Sequence, residues 1–494
     1  MAIPKICGIE TEYGISVRDH SDFNPIVASS LLINAYAKPA LRRVKWDYEE
    51  ENPLRDARGF ERAPAEGAAV EDETGLVNVI LPNGSRYYVD HAHPEYSSPE
   101  CSNPHDGVVW DKAGERILEA SIQAAGAIVP NGQGISIYKN NSDGKGNSYG
   151  CHENYLVDRK TPFPNLVHHL IPFLVTRQVF TGSGKVGAEA NSRDVDFQIS
   201  QRADFFEVEV GLETTFKRPI INTRDEPHAD PERYRRLHVI AGDANMAELP
   251  TFLKLGTAAL VLRMIEDDFI AEDFTLTEPV RAIRTVSHDP SCKAMIELSD
   301  GRRLSAIELQ WEYLRLASKY SEDNDTDGGA ADVLSAWEQV LEGLESDPTS
   351  QSHRLDWVAK LVLLEAYRAR DGLGWDHPKL RLIDLQYHDV SRKRGLYYKL
   401  ERAGKIDRLV TEEEIEWAID HPPEDTRAYF RGECLRRYSR AIVAASWDAL
   451  IFDVGEEPLR KVPTLEPGRG TKAHVEELLD ASPRAGDLIA NLGA

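Results

Sequence analysis

The stretch that most limits what this chain can fold into is RYYVDHAHPEYSSPEC, residues 86–101. Three of its first four residues are aromatic or β-branched, which suits a pleated, half-buried strand. Acidic and imidazole side chains then follow closely, at Asp90, His91, His93, Glu95 and Glu100. Here three carboxylates and two imidazoles follow directly on a strand. This pattern predicts either a hydrated sheet edge or a site where a ligand is bound and a bond is cleaved.

A second acidic strand is predicted near the N-terminus, in residues 3–15. Glu10 and Glu12 are two positions apart there, so a strand turns both carboxylates to one face. Together with the acids of residues 86–101, they offer the oxygen ligands that Mg²⁺ prefers. A bound cation would be stabilising here, because unpaired carboxylates that converge in a low-dielectric environment repel each other. The alternative is that each acid is separately hydrated.

The bulk composition limits the class of protein. The chain has 494 residues, 41% of them hydrophobic, enough for more than one domain. Its formal net charge of −24 disfavours non-specific nucleic-acid binding. No apolar run approaches the roughly 18 residues of a membrane span, and no secretory signal is visible. Five cysteines without a CxxC pair argue against a disulfide framework or structural zinc. These features predict a reduced, cytoplasmic enzyme without a nucleic-acid or membrane partner.

Two basic islands interrupt this acidic background. Residues 217–239 contain six Lys or Arg, and residues 427–440 contain five. Each island is either a solvated helix face or a place where anionic groups bind. Our hypothesis sets an acidic, flexible partner against both islands, with Arg235 and Arg236 among the contacting residues.

The order of apolar and polar residues predicts an α+β fold. Two short strands joined by a turn are expected in residues 78–90. Helical spacing marks residues 107–126 and 247–267, and residues 302–370 look mainly helical. Acidic strands early in the chain, with helices between and after them, predict an antiparallel sheet with helices packed on one face.

Two further segments set the expected domain organisation. Residues from about 41 to 76 are polar, charged and long for an inert connection, which predicts either a functional lid or a disordered insert. A linker-like stretch ends near residue 425. We therefore expect a catalytic domain in residues 1–425, which carries the insert, and a small C-terminal domain in residues 426–494.

Other catalytic patterns are weak. The glycine-rich TGSGKVG at 181–187 lacks the spacing of a P-loop, so any nucleotide would be held by magnesium and arginines. The HAH at 91–93 provides two imidazoles, but no third soft ligand for zinc is obvious. Cys101 and Cys151 lie beside acids or histidine, yet adjacency does not place a base against a thiol, and buried cysteines are commonly inert.

Several long motifs in one order carry a family resemblance: GIETEYGI, YYVDHAHPEYSSPEC, YKNNSDGKGNSYGCHENYL, RYRRLHVIAGDAN and TRAYFRGECLRRY. They resemble the Pup ligase and Pup deamidase/depupylase family of actinobacteria, and the similarity runs from residue 6 to about residue 475. Within that family, the ending DHAHPEY and the insert containing KWDYEEENPLRDARGF resemble the deamidase/depupylase members rather than the ligases.

The resemblance implies a carboxylate–amine ligase fold like that of glutamine synthetase, whose curved antiparallel sheet binds Mg²⁺ and ATP, or ADP plus phosphate. It also implies hydrolysis: deamidation of the C-terminal Gln of Pup, a small disordered modifier, to Glu. The same site would cut the isopeptide bond between Pup and lysines of pupylated proteins, feeding the Pup-proteasome pathway. The alternatives are a Pup–protein ligase of the same family and a catalytically inert Pup-binding protein.

The motif positions also imply site residues. Asp90 is implied as the catalytic residue, acting either as nucleophile or as base. The implied nucleotide contacts are Arg86, Ser98, Trp447 and, less directly matched, Arg224. The implied metal ligands are Glu10, Tyr88 and Glu95, to which positions on the same face add Glu12, Glu100, His152 and His228.

Overall fold

The computed structural model describes residues 1–18, 23–49, 51–61, 77–128, 134–190, 192–214, 216–324, 326 and 329–493. Its centre is a six-stranded sheet in which every neighbouring pair is antiparallel. In spatial order, its strands are β15 (Tyr234–Val239), β10 (Cys151–Asp158), β1 (Cys7–Glu12), β8 (His93–Ser97), β7 (Arg86–Asp90) and β6 (Asn78–Ile80).

Alternating side chains decide which face of this sheet is buried. In β1, Cys7, Ile9 and Thr11 are buried, while Glu10 and Glu12 point to the opposite side. β10 alternates in the same way along its eight residues. A period of two separates an apolar face from a polar one, and we call the polar side the site face.

Helices cover the apolar face. α2 (Pro104–Ile128) packs on β1, and α5 (Glu248–Glu266) packs on both α2 and β10. Nearly every residue of α5 is buried, as expected of a helix that is apolar on all sides. The α+β class, the two helices and the 78–90 hairpin are therefore confirmed.

The remaining elements surround this core. The other strands are β2 (Gly14–Val17), β3 (Lys45–Trp46), β4 (Arg55–Asp56), β5 (Phe60–Glu61), β9 (Ile135–Tyr138), β11 (Lys185–Val186), β12 (Phe197–Gln198), β13 (Phe206–Gly211), β14 (Arg218–Asn222), β16 (Met295–Glu297), β17 (Arg303–Ser305), β18 (Ile442–Ala445), β19 (Ala449–Phe452) and β20 (Arg460–Pro463). The other helices are α1 (Pro25–Tyr36), α3 (Phe163–Thr176), α4 (Gln178–Thr181), α6 (Pro279–Ser287), α7 (Ala306–Asp323), α8 (Ala330–Ser346), α9 (Asp356–Asp371), α10 (Pro378–Tyr387), α11 (Leu396–Arg402), α12 (Glu412–Ala418), α13 (Ala428–Tyr438), α14 (Lys472–Asp480) and α15 (Ala485–Leu492).

The strand predicted for residues 3–15 is divided in the structure. β1 ends at Glu12, and β2 belongs to another sheet, where it pairs with β9. Tyr13 lies between them, fully buried, and its N–H donates to the carbonyl of Pro94. At Gly14 a Cβ atom would stand 2.6 Å from the Tyr149 hydroxyl, so the chain turns where only glycine fits.

The C-terminal segment is joined to the rest by a sheet and a shared core. β18 pairs in parallel with β3, so residues 444–445 lie beside residues 45–46. One hydrophobic cluster includes both Tyr13 near the N-terminus and Leu488 in α15. The division at residue 425 stays a prediction, and these shared contacts do not favour an autonomous tail.

The insert predicted at about 41–76 is described only in part. Its first portion forms β3, β4 and β5, and we call residues 45–49 and 51–61 the anchor segment. Residue 50 and residues 62–76 lie outside the described residues.

In the part of the chain that is described, no helix combines the length and apolarity needed to cross a membrane.

Candidate active site

The site face gathers side chains from four neighbouring strands, β8, β1, β10 and β15. Register places Glu10 of β1 opposite His152 of β10, and Glu12 opposite Glu95 of β8. On the far side of β10, Asn154 faces His238 of β15. The alternating pattern thus delivers polar groups from distant parts of the sequence to one surface.

The β7–β8 hairpin supplies the other acids. Asp90 is the last residue of β7, and His91 turns the chain with a φ of 50°. The His91 Nδ1 lies 2.8 Å from Asp90 Oδ2, which fixes the orientation of that carboxylate. Its side chain is 31% exposed, so a substrate can reach it. In the same hairpin, the Tyr88 hydroxyl lies 2.5 Å from Glu95 Oε1.

One candidate cation site is a cluster of three carboxylates. Glu12, Asp90 and Glu95 each place an oxygen within 4.8 Å of the others. Burial raises the pKa of the Glu95 carboxyl well above its usual range, and the charges of Asp90 and Glu10 raise it further. A hard divalent cation fits this donor set, because it would relieve the repulsion with oxygen ligands.

A second candidate group combines Glu10 with His152 and His238. Burial opposes ionisation of Glu10, but the two imidazoles beside it hold its pKa below the usual range. Burial also lowers the pKa of His238 well below its usual range, with Arg236 and Arg224 adding to the effect. The group is therefore an anionic carboxylate flanked by imidazoles that are metal-ligating when neutral.

A cleft adjoins the site face. Its lining combines charged and aromatic side chains, among them Glu10, Ser98, His228, Arg236, Arg427 and Trp447. We call this the main cleft. The cleft brings β1 and β15 together with the loop that follows β18.

An aromatic stack fixes Arg86 near the cleft. Its guanidinium lies 3.9 Å from the ring centre of Trp46 and 3.8 Å from that of Tyr88. Trp46 meets Trp447 edge to face, with ring centres 5.4 Å apart. The implied nucleotide residues Arg86 and Trp447 are thus connected through a tryptophan of the anchor segment.

Ser98 and Glu100 are already engaged by the protein. The Ser98 hydroxyl accepts the Ile9 N–H at 2.9 Å. Glu100 binds Arg427 at 2.7 Å and also binds Arg431. Burial works against its ionisation, but these arginines lower the pKa of Glu100 to about 2. Glu100, predicted as a metal ligand, is therefore an ion-pair partner of two arginines instead.

His228 and Arg224 lie at the edge of the site. His228 adopts a φ of 45° and lines the main cleft, where burial lowers its pKa well below the usual range. Arg224 is bridged by its backbone to Asp56 of the anchor segment. Its Nε atom lies 3.6 Å from Glu226 Oε2.

We predicted that the two basic islands form a surface that contacts an acidic partner, and this prediction is wrong for several arginines. Arg218, Arg235, Arg427 and Arg431 are all buried. Arg235 donates to the carbonyl of Thr161 and lies near Asp225 instead of facing a partner. Arg236 lines the main cleft rather than an outer surface. Buried guanidinium groups need carboxylate or carbonyl partners, and the partner of Arg427 and Arg431 is Glu100, which lies too far away in the sequence to be recognised.

Sequence reasoning did not assign three polar residues to the site face, and one of them, Arg236, it assigned to a partner surface. Asn154 donates to Glu10 Oε1 at 2.9 Å, and Arg236 Nη1 lies 3.6 Å from the same oxygen. The His238 ring meets the His152 ring edge to face. The alternation of Arg236 and His238 in RYRRLHV was the available signal, since a strand places both on one face.

An open sheet face that gathers carboxylates and imidazoles beside a cleft is typical of an enzyme that works on a polar substrate. The chain belongs to the Pup-ligase protein family, whose model matches residues 5–451. The resemblance inferred from the motifs is thereby confirmed.

Relatives of the chain include both kinds of family member. It is 59% identical to a depupylase of Acidothermus cellulolyticus and 53% identical to a Pup deamidase/depupylase of Mycolicibacterium smegmatis, each over 99% of both chains. It is 45% identical to a Pup–protein ligase of Acidimicrobium ferrooxidans, over 81% of this chain and 89% of the ligase.

Two solved structures share the fold. A complex of the prokaryotic ubiquitin-like protein Pup with its ligase PafA matches with a TM-score of 0.81 and 34% identity, over 97% of this chain and 91% of that one. The Pup ligase PafA in complex with ADP matches with a TM-score of 0.73 and 37% identity, over 82% and 89%.

Proposed function

We propose that this chain is a Pup deamidase and depupylase. It converts the C-terminal Gln of Pup to Glu and hydrolyses the isopeptide bond between Pup and substrate lysines, which feeds the Pup-proteasome pathway. The observation that carries the proposal is similarity along 99% of the chain to relatives named for these activities. The ligase relative matches less of the chain and at lower identity.

The cofactors that we propose are Mg²⁺ and ATP, or ADP plus phosphate. The nucleotide would lie in the main cleft, with Arg86, Ser98, Arg224 and Trp447 as its contacts. That a ligase of the same fold is found in complex with ADP supports nucleotide binding by this chain. Glu10, Tyr88 and Glu95 would hold magnesium, with Glu12, His152 and His228 as further candidates. When bound, magnesium supplies Lewis-acid stabilisation of negative charge.

Asp90 is the residue proposed to carry the chemistry. Its carboxylate is exposed at a strand end and oriented by His91. Either it attacks the carbonyl carbon of the amide, or it removes a proton from an attacking water; both routes stay open. In each, a carbon–oxygen bond forms, the carbon–nitrogen bond breaks, and nitrogen leaves protonated as ammonia or as the lysine amine. On the first route, water then hydrolyses the anhydride and regenerates Asp90; on either route the net reaction consumes one water.

The partners are Pup and pupylated proteins. A structurally similar ligase forms a complex with Pup, which supports a common partner. All five cysteines are free thiols, in keeping with a reducing, cytoplasmic setting.

Three reactions with the purified chain test the proposal. Pup ending in Gln should release ammonia, a pupylated protein should lose Pup, and Pup ending in Glu with a lysine-bearing protein should give no conjugate. Conjugate formation without hydrolysis would instead identify a ligase, the activity named for the two solved structures that share the fold. Binding of Pup without either reaction would identify an inert binding protein.

A further inference from the structure

The anchor segment is attached to the loop that carries Arg224. Asp56 accepts the Thr223 hydroxyl at 2.6 Å and is itself buried. The Ala57 N–H donates to the Thr223 carbonyl at 2.8 Å. Backbone and side-chain bonds together therefore hold the anchor segment in register beside the site.

Glu226, in the same loop, is shared between the anchor segment and the site. It is 6% exposed. Its Oε1 accepts the backbone N–H of Asn52 at 2.6 Å. Its Oε2 faces two guanidinium groups at longer range, 3.5 Å from Arg236 Nη2 and 3.6 Å from Arg224 Nε. A carboxylate paired directly with arginine normally approaches to about 2.8 Å, so both side-chain contacts are long, although Arg236 Nε also donates to the Glu226 backbone carbonyl at 2.7 Å.

Both arginines serve the site. Arg236 lines the main cleft, and its Nη1 donates to Asn154 Oδ1 at 2.6 Å, beside Glu10. The buried Nε of Arg224 makes no hydrogen bond to any residue that the structure describes. The donors left weakly paired are therefore Arg224 Nε and Arg236 Nη2, and an anionic ligand would satisfy them.

We propose that the Asn52 N–H holds the Glu226 carboxylate away from Arg224 and Arg236, which keeps both guanidinium groups available to the anionic groups of the nucleotide. Glu226 is then a positioning residue and a competitor for the arginines, and the anchor segment sets how strongly it competes. This inference rests on the proposed function, in which a nucleotide occupies the main cleft.

The test compares affinity for Mg·ADP, by calorimetric titration, among four forms of the full chain. Asn52→Pro removes the N–H, so the carboxylate should close on the arginines and affinity should fall roughly five-fold or more. Asn52→Ala keeps the N–H and is the matched control, expected at wild-type affinity. Glu226→Gln removes the competing charge, so affinity should rise by a factor of roughly two or more.

The double variant separates positioning from structural damage. Asn52→Pro combined with Glu226→Gln should bind like Glu226→Gln alone, because no competing charge remains to be released. If Asn52→Pro does not melt cooperatively, the affinity of Glu226→Gln for Mg·ADP alone tests the inference. Equal affinity in Asn52→Pro and Asn52→Ala, or weaker binding in Glu226→Gln, overturns the inference and leaves the proposed function standing. A wild-type chain that does not bind Mg·ADP overturns both.

Discussion

At the scale of single residues, Asp90 is the most exposed acid of the three-carboxylate cluster, and its role can be isolated. Asp90→Asn keeps the shape of the side chain but removes its charge, so neither attack nor proton removal can proceed. We expect both deamidation and depupylation to fall by roughly 100-fold or more. Ammonia release from Pup and loss of Pup from a conjugate measure the two rates.

The fold should survive this change. The Asp90 side chain is partly exposed and makes its described contact with the neighbouring His91, not with the core. The variant should therefore melt at the same temperature as the wild type. Turnover close to the wild-type rate would remove Asp90 from the mechanism.

Glu100 has a structural role that can be tested by pH. Its pKa of about 2, against an ordinary value of 4.5, corresponds to about 3 kcal/mol of stability. Because the folded pKa is lowered, this contribution is complete above pH 4.5 and is lost as pH falls toward 2. Glu100→Gln should thus lower the free energy of unfolding by about 3 kcal/mol at pH 7, and the difference should shrink between pH 4.5 and 2.

Urea unfolding at pH 7, 4.5 and 3 measures this difference. Glu342→Gln is the matched control, since Glu342 is exposed in α8 and should change stability by less than about 0.5 kcal/mol. A difference between Glu100→Gln and wild type that did not vary with pH would contradict the ion-pair account.

At the scale of elements, the sequence was informative wherever a signal is local. The alternation of Glu10 and Glu12, the turn between β6 and β7, and the apolar helix α5 are each visible in a short window. Long-range pairing was not visible. Glu100 meets Arg431 across 331 positions, and β15 joins β10 across a long stretch of chain. The basic islands were misread for this reason, because charge alone does not show which guanidinium groups have buried partners.

The short strand β3 illustrates how an element of two residues can matter to the site. Trp46 lies between Arg86 and Trp447, and its indole donates to Glu51 at 2.6 Å. Trp46→Leu removes the aromatic face that holds Arg86. Desolvated cation–π contacts contribute about 1–2 kcal/mol, so affinity for Mg·ADP should fall roughly five- to thirty-fold.

Trp46→Phe is the control for that change. It keeps an aromatic face but loses the indole N–H, so it should retain most of the affinity if stacking is the cause. If both variants bind the nucleotide equally weakly, the hydrogen bond to Glu51 is responsible instead. Unchanged affinity in Trp46→Leu would contradict any link between the anchor segment and Arg86.

At the scale of the whole molecule, the site depends on chain segments that come together only when the chain is folded. The main cleft takes residues from β1, β10, β15, the residue that precedes α13 and the loop after β18, so a ligand bound there contacts both the N-terminal and the C-terminal parts. Such a ligand binds the folded state and not the unfolded chain. It should therefore stabilise the whole molecule by mass action.

Mg·ADP at 100 times its dissociation constant should contribute about 2.7 kcal/mol, which for 494 residues raises the melting temperature by about 3 °C. Most of this shift should disappear with ADP and EDTA, because the phosphates and the acids of the site face then repel each other. Glu95→Gln keeps the acceptor for the Tyr88 hydroxyl but removes one carboxylate charge, so it should melt like the wild type without ligand and respond weakly to Mg·ADP. Glu342→Gln should show the full shift. An equal shift with magnesium and with EDTA would mean that the carboxylates of the site face hold no cation in the nucleotide complex.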